Sequence, residues 1–170
     1  MAGVKTLADK RYKVTLLSTE PTDLRAITTT ELQAGIDASC LLAANGTRLS
    51  ATGSDSINDP AVCEESTASV PGGSNFEATF APFWYLDPAT GQYAEADNPA
   101  FEIMREKGSA FWAVTRRGPE ASVDWAAGDT YSVFEVTTDN PQEQADSSGW
   151  IKYNVPAEVQ RAELFQTVAA

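Results

Sequence analysis

Residues 75–86 read NFEATFAPFWYL. Laid out as an extended chain, Phe76, Ala78, Phe80 and Trp84 share one side, and Glu77, Thr79, Phe83 and Tyr85 share the other. Successive strand side chains point to opposite faces, so this period of two predicts the strongest strand of the sequence. The same alternation recurs on both sides of it. Residues 130–138 set Tyr131 and Val133 against Phe134 and Val136, and residues 11–17 put Tyr12, Val14 and Leu16 on one face. Residues 109–117 read as a further strand. Residues 35–42 set Ile36, Ala38, Cys40 and Leu42 against Asp37 and Ser39, which predicts a half-buried strand. Asn45-Gly46 follows, a hairpin signal, and residues 48–52 are read as its return strand. Residues 64–70 read as a weak strand and 150–155 as a strand. Residues 158–168 fit strand or helix and are read as strand.

Only one helix is well signalled. Asn98 suits the N-cap, Pro99 the first helical position and Gly108 the stop. A helix of about ten residues is marginal alone, so its apolar residues Phe101 and Met104 must pack on a sheet. Residues 18–27, 53–73, 118–128 and 139–149 are read as loops. The order of strands, one helix and more strands predicts a single mainly β domain over residues 1–170. It is either two packed antiparallel sheets or a flattened barrel, with one flanking α-helix.

A chain of 170 residues with 42% hydrophobic content can bury a real core. No apolar run is long enough to span a bilayer, and residues 1–10 have no signal-peptide apolar region. The expectation is a protein made in the cytoplasm, with Cys40 and Cys63 as free thiols that behave like small buried hydrophobes, a disulfide between them being the weaker alternative. The net charge of −12 disfavours a nucleic-acid binder, which needs Lys and Arg to neutralise phosphates. The distribution is uneven. Between Arg48 and Arg105 every charged residue is an acid, whereas Lys5, Lys10, Arg11 and Lys13 face Asp9 alone at the start. Such a separation fits complementary surfaces meeting between subunits, or else a solvated basic arm.

Catalytic equipment is sparse. With no histidine, Ser-His-Asp and Cys-His machines are excluded, and with two cysteines no structural zinc site can be completed. Neither phosphate-binding glycine motif occurs. Glu64 with Glu65, or Asp87 with Glu95, are carboxylate pairs of the kind chance produces among 24 acids. Asp55 and Asp59 are better read as a solvated turn than as a calcium loop. The chain is therefore expected to be no enzyme and to need no cofactor or metal. Phe83-Trp84-Tyr85 raises one alternative, a carbohydrate-binding β-sandwich stacking sugar on Trp84, Tyr85 and Tyr93.

The segments MAGVKTLADKRYKVTLLS, ELQAGIDASC, LSATGSDSINDPAVCEE, SNFEATFAPFWYLD, EADNPAFE and YNVPAEVQRAELFQTVAA, in this order, resemble the major tail protein of siphophages that infect actinobacteria. The resemblance runs over nearly the whole chain. It implies a tail-tube fold and a virion protein of the tail, assembled in the host cytoplasm. It also implies self-association into rings, usually hexameric, stacked into a tube around a tape-measure protein, through which DNA passes without specific binding. Within that reading, the arm at residues 1–10, the loop at 53–73 and the tail at 165–170 are the candidate contacts between subunits. Lys5, Lys10, Arg11, Asp55 and Asp59 are the residues named for them. A channel wall of carboxylates would repel DNA rather than hold it. Asp37 and Glu77, on strands whose other face is apolar, are the candidate lumen residues, with Glu64 or Glu65 as a weaker third. The alternative is that these acids sit on an outer wall and serve solubility.

Overall fold

The computed structural model describes residues 5–57, 62–63, 69–144 and 148–170. The fold is mainly β, in two antiparallel sheets. The large sheet contains β1 (Tyr12–Leu17), β2 (Ile36–Asp37), β3 (Arg48–Thr52), β6 (Asn75–Phe80), β7 (Ala110–Arg117), β8 (Thr130–Thr138) and β10 (Tyr153–Thr167) in the order β2-β1-β7-β8-β10-β6-β3. A short β9 (Gln142–Glu143) also pairs with β10. The second sheet is a two-stranded ribbon of β4 (Ser56–Ile57) and β5 (Val70–Pro71) inside the long loop. Two short helices, α1 (Thr29–Gln33) and α2 (Pro99–Glu102), flank the large sheet, with a 3-10 turn at Glu95–Asp97.

The large sheet has apolar residues on both faces, which is why β8 lacks a clean apolar/polar alternation. Phe134 and Val136 join Val14, Leu16, Phe80 and Phe111 in one cluster, which Met104 and Ala100 cap from the α2 side. Val133 and Tyr131 join Val114 and Leu17 in a second cluster on the opposite face, covered by Leu32 of α1 and by Ile27 and Trp125. The second cover reaches only part of the sheet. Burying aromatic side chains such as Phe80 and Phe111, both 0% exposed, stabilises by about 1.5–3 kcal/mol each.

Several sequence expectations change in position. The strand read at 35–42 stops at Asp37, because Ser39 turns back onto Asp37 Oδ1 through both its amide (3.1 Å) and its hydroxyl (2.6 Å). Ala38 and Leu42 are still buried. A turn forms at Asn45-Gly46, with Gly46 at φ +112°, but it does not close a hairpin: β3 pairs with β6, and Leu42 bridges Pro82. The strand at 75–86 ends at Phe80, before Pro82. The helix expected over 98–108 is one turn, Pro99–Glu102. Asn98 does not cap it, because its amide is committed elsewhere, accepting from the Tyr85 amide (2.8 Å) and donating to Tyr85 O (2.9 Å). The strands read at 150–155 and 158–168 form one strand, β10, whose two bulges spoil any simple period. The weak strand expected at 64–70 survives as β5 at its end, and residues 64–68 lie outside the described residues. Cys40 and Cys63 are free but exposed, not buried.

Candidate assembly surface and channel face

Strand register fixes which residues share a face. On β1, Thr15 pairs Asp37 and Val114, so Asp37 lies on the face of the second cluster. Across the sheet, Glu77 pairs Ser50, while its neighbours Ala78 and Phe76 belong to the first cluster. Asp37 and Glu77 therefore lie on the same face, with β1, β7, β8 and β10 between them. Ile36 and Ala38 beside Asp37 pack with the first cluster, like Phe76 and Ala78 beside Glu77.

Their environments differ. Asp37 Oδ2 accepts from Lys13 Nζ at 2.6 Å, and Lys13 is 4% exposed and also donates to Ala121 O at 2.8 Å. Burial raises the Asp37 pKa, but hydrogen bonds from Lys13 and Ser39 outweigh it, and the net effect is a lowered value. Asp37 is therefore an anionic partner for a buried cation. Lys13, read in sequence as part of a basic arm, is folded into the sheet. Glu77 is ion-paired with Arg48, its diagonal neighbour on β3. Among the described residues no helix covers it there, and Thr79, Ser50 and Glu158 share its face. Glu158 is exposed and is in no ion pair among the described residues. The ambiguity of the sequence over 158–168 concealed it, since a residue's face cannot be read where the strand itself is uncertain.

The residues named for subunit contacts are scattered. Lys5 and Lys10 are exposed and are in no ion pair among the described residues. Arg11 donates to Gly118 O at 2.8 Å, which ties the end of the arm to the loop after β7. Asp55 Oδ1 accepts from Asn75 Nδ2 at 3.1 Å, and its carbonyl accepts from the Gly72 amide, which closes the base of the ribbon. Asp59, Glu64 and Glu65 lie outside the described residues. The ribbon exposes Ile57 and Val70, paired with each other, so its apolar pair faces water in the single chain.

Two features escaped sequence reading. One is Trp150, 81% exposed, with Ile151 exposed beside it. The other is the outward turn of Phe165, the first residue of the tail named for subunit contacts, which is 80% exposed at φ +55° in the second bulge of β10. No local signal distinguishes an exposed Phe from a core Phe in an alternating segment. Of the three rings of the carbohydrate alternative, Trp84 lies against Tyr93 (4.2 Å between centroids), Phe101 (5.0 Å) and Tyr153 (4.9 Å), whereas Tyr85 is exposed and sits edge-on to Phe83. Tyr93 is further tied to the Glu102 carboxylate, which with burial raises its pKa.

A family model described as phage tail tube protein matches residues 1–170. No curated protein matches the chain. Among solved structures, a chain of a cryo-EM structure of the anti-feeding prophage baseplate, 6-fold symmetrised, is similar at 12% identity with a TM-score of 0.51. The match covers 98% of this chain and 98% of that one. At that identity the likeness concerns the fold.

Proposed function

This chain belongs to the phage tail tube protein family, a structural component of phage tails, and we propose that it is the repeating tube subunit. In this reading it forms rings that stack into a tube enclosing a tape-measure protein during assembly in the host, and the finished tube conducts DNA. Six-fold rings are the expected symmetry, in line with the symmetry named for the baseplate structure whose fold is similar. The phages concerned infect actinobacteria, on the resemblance of the sequence segments. The subunit catalyses no reaction.

The observation that carries the reading is the family match over residues 1–170. The sheet adds to it. One face is bare and polar over β6, β10 and β3, where Glu77, Glu158 and Arg48 stand among hydroxyl side chains. A surface of that kind keeps DNA moving by short-range repulsion, over about 8 Å at physiological salt. We assign this face to the channel. Asp37, on the same face, serves chiefly as the partner of Lys13.

Light scattering during size exclusion tests the assembly. A chain of 18.2 kDa should elute as multiples near six or as larger polymers. Elution only as a monomer across protein concentrations and salt conditions would contradict the reading.

A further inference from the structure

Phe165 is held outward by the backbone. It occupies the left-handed region at φ +55°, which disfavours a residue with a Cβ, and its amide donates to Ser132 Oγ at 3.3 Å. Strain at a non-glycine residue persists where the surrounding structure enforces it. The register shift between Glu163 and Gln166 supplies the extra residues, and bulges re-aim side chains in this way. Leu164 turns into the first cluster, and Phe165 is left 80% exposed. An exposed Phe at a strained position is a poor arrangement for an isolated chain and a good one for an anchor.

A receptor of matching character lies across the same sheet. On the side of the first cluster, β1, next to the edge strand β2, and the opposite edge strand β3 line a common cleft of about 610 Å³. Tyr12 and Val14 line one wall, Leu49 lines the other, and Leu42 and Ala43 sit between. Lys10, Arg48 and Arg117 stand at the cleft against one acid, Asp9; among the described residues Lys10 and Arg117 are in no ion pair, and the Arg117 guanidinium stacks on Tyr12 at 4.6 Å. Charge is opposite at the other site. Beside the second half of β10 stand Glu20, Asp23, Glu135 and Glu163 against Arg25 and Arg161. In strand order β10 and β8 lie between β6 and β7, which separate them from β3 and β1. Knob and cleft therefore occupy opposite sides of one chain.

We infer that Phe165 of one copy inserts into the cleft between β1 and β3 of a second copy. The inference rests on the reading that this chain assembles with itself, and names the contact through which it does so. A contact between two different patches is head-to-tail, and it either closes a ring or propagates. The acidic flank of Phe165 then meets the unpaired cations at the cleft edge, which favours this register over knob against knob.

The test uses the full chain with Cys40→Ser and Cys63→Ser. One preparation carries Thr167→Cys, exposed beside the retained Phe165, another Ala44→Cys in the exposed rim of the cleft, and the two are mixed under assembling conditions and oxidised. Disulfide-linked dimers should appear in the mixture and not in either preparation alone. A second variant, Phe165→Gly, removes the ring and tolerates the positive φ, so the monomer should stay folded while the concentration needed for assembly rises about tenfold or more. If the parent assembles but the mixture gives no cross-link, or Phe165→Gly assembles like the parent, this contact is wrong while the assembly reading stands. If the parent does not assemble under any condition, the assembly reading falls and this inference falls with it.

Discussion

Lys13 Nζ lies 2.6 Å from Asp37 Oδ2, joining a cation buried in β1 to a half-exposed carboxylate on β2. The pair anchors the short edge strand and also holds the loop after β7 through Ala121 O. Replacing Asp37 by Asn leaves Lys13 buried without an anion. Breaking a buried pair costs about 3–5 kcal/mol, and the exposed half of this one reduces that to about 2 kcal/mol. The melting temperature should fall by about 4–8 °C. The pKa of Asp37 is lowered on folding, so its contribution is fully present above the ordinary value of 3.8 and is lost as pH falls through the folded value. Acid titration of the parent and of Asp37→Asn should converge below that window. Equal stability of the two at neutral pH would contradict the account.

Glu31 gives a second acid-sensitive element. Its carboxylate accepts from the backbone amides of Thr22 (2.8 Å) and Thr28 (2.8 Å), while Thr28 Oγ1 accepts from the Glu31 amide, a reciprocal cap on α1. These bonds lower its pKa from 4.5 to about 2. The stabilisation is present above 4.5 and disappears as pH falls toward about 2. Glu31→Gln should cost about 1 kcal/mol at pH 7, after allowing for solvent screening, and should flatten the pH dependence in that interval.

Arg116 is the most deeply placed cation, 1% exposed. It pairs with Asp129 Oδ2 at 2.6 Å, donates to the carbonyls of Glu120, Val123 and Asp124, and lies 5.0 Å over the Trp125 ring. It thereby fixes the loop between β7 and β8. Arg116→Ala should destabilise by about 3–5 kcal/mol, because Asp129 and several carbonyls lose their partner. Chemical denaturation measures this. A loss below 1 kcal/mol would mean the loop is held by other contacts.

Cys40 and Cys63 are exposed free thiols. Both should react with a thiol reagent in the folded protein, and reductant should leave the melting temperature unchanged. Protection of either thiol, or a clear loss of stability in reductant, would show burial or a disulfide that the structure does not contain.

Much of the sheet was legible because strands buried on at least one face leave a period of two: β1, β7 and β8 were read nearly to the residue, whereas the shared face of Asp37 and Glu77 depends on the register across the strands between them. What was not legible depended on distant partners. Nothing local tells that β3 pairs with β6 rather than with residues 35–42, or that Lys13 turns inward to Asp37. The helix α1 did carry a sign, Thr28 followed three residues later by Glu31, which local reading passed over. Asn98 was read as a cap because its position is right, yet its amide binds Tyr85 instead. The bulges of β10 and the outward turn of Phe165 depend on register with β8, which no single segment encodes.

The central claim is that this subunit polymerises into a tube with its bare polar sheet face toward the bore. Cryo-electron microscopy of the purified, assembled chain tests it most directly. The account predicts stacked six-fold rings with Glu77 and Glu158 lining the channel. Failure to form rings or tubes, or tubes in which Glu77 and Glu158 face the outer solvent, would contradict it.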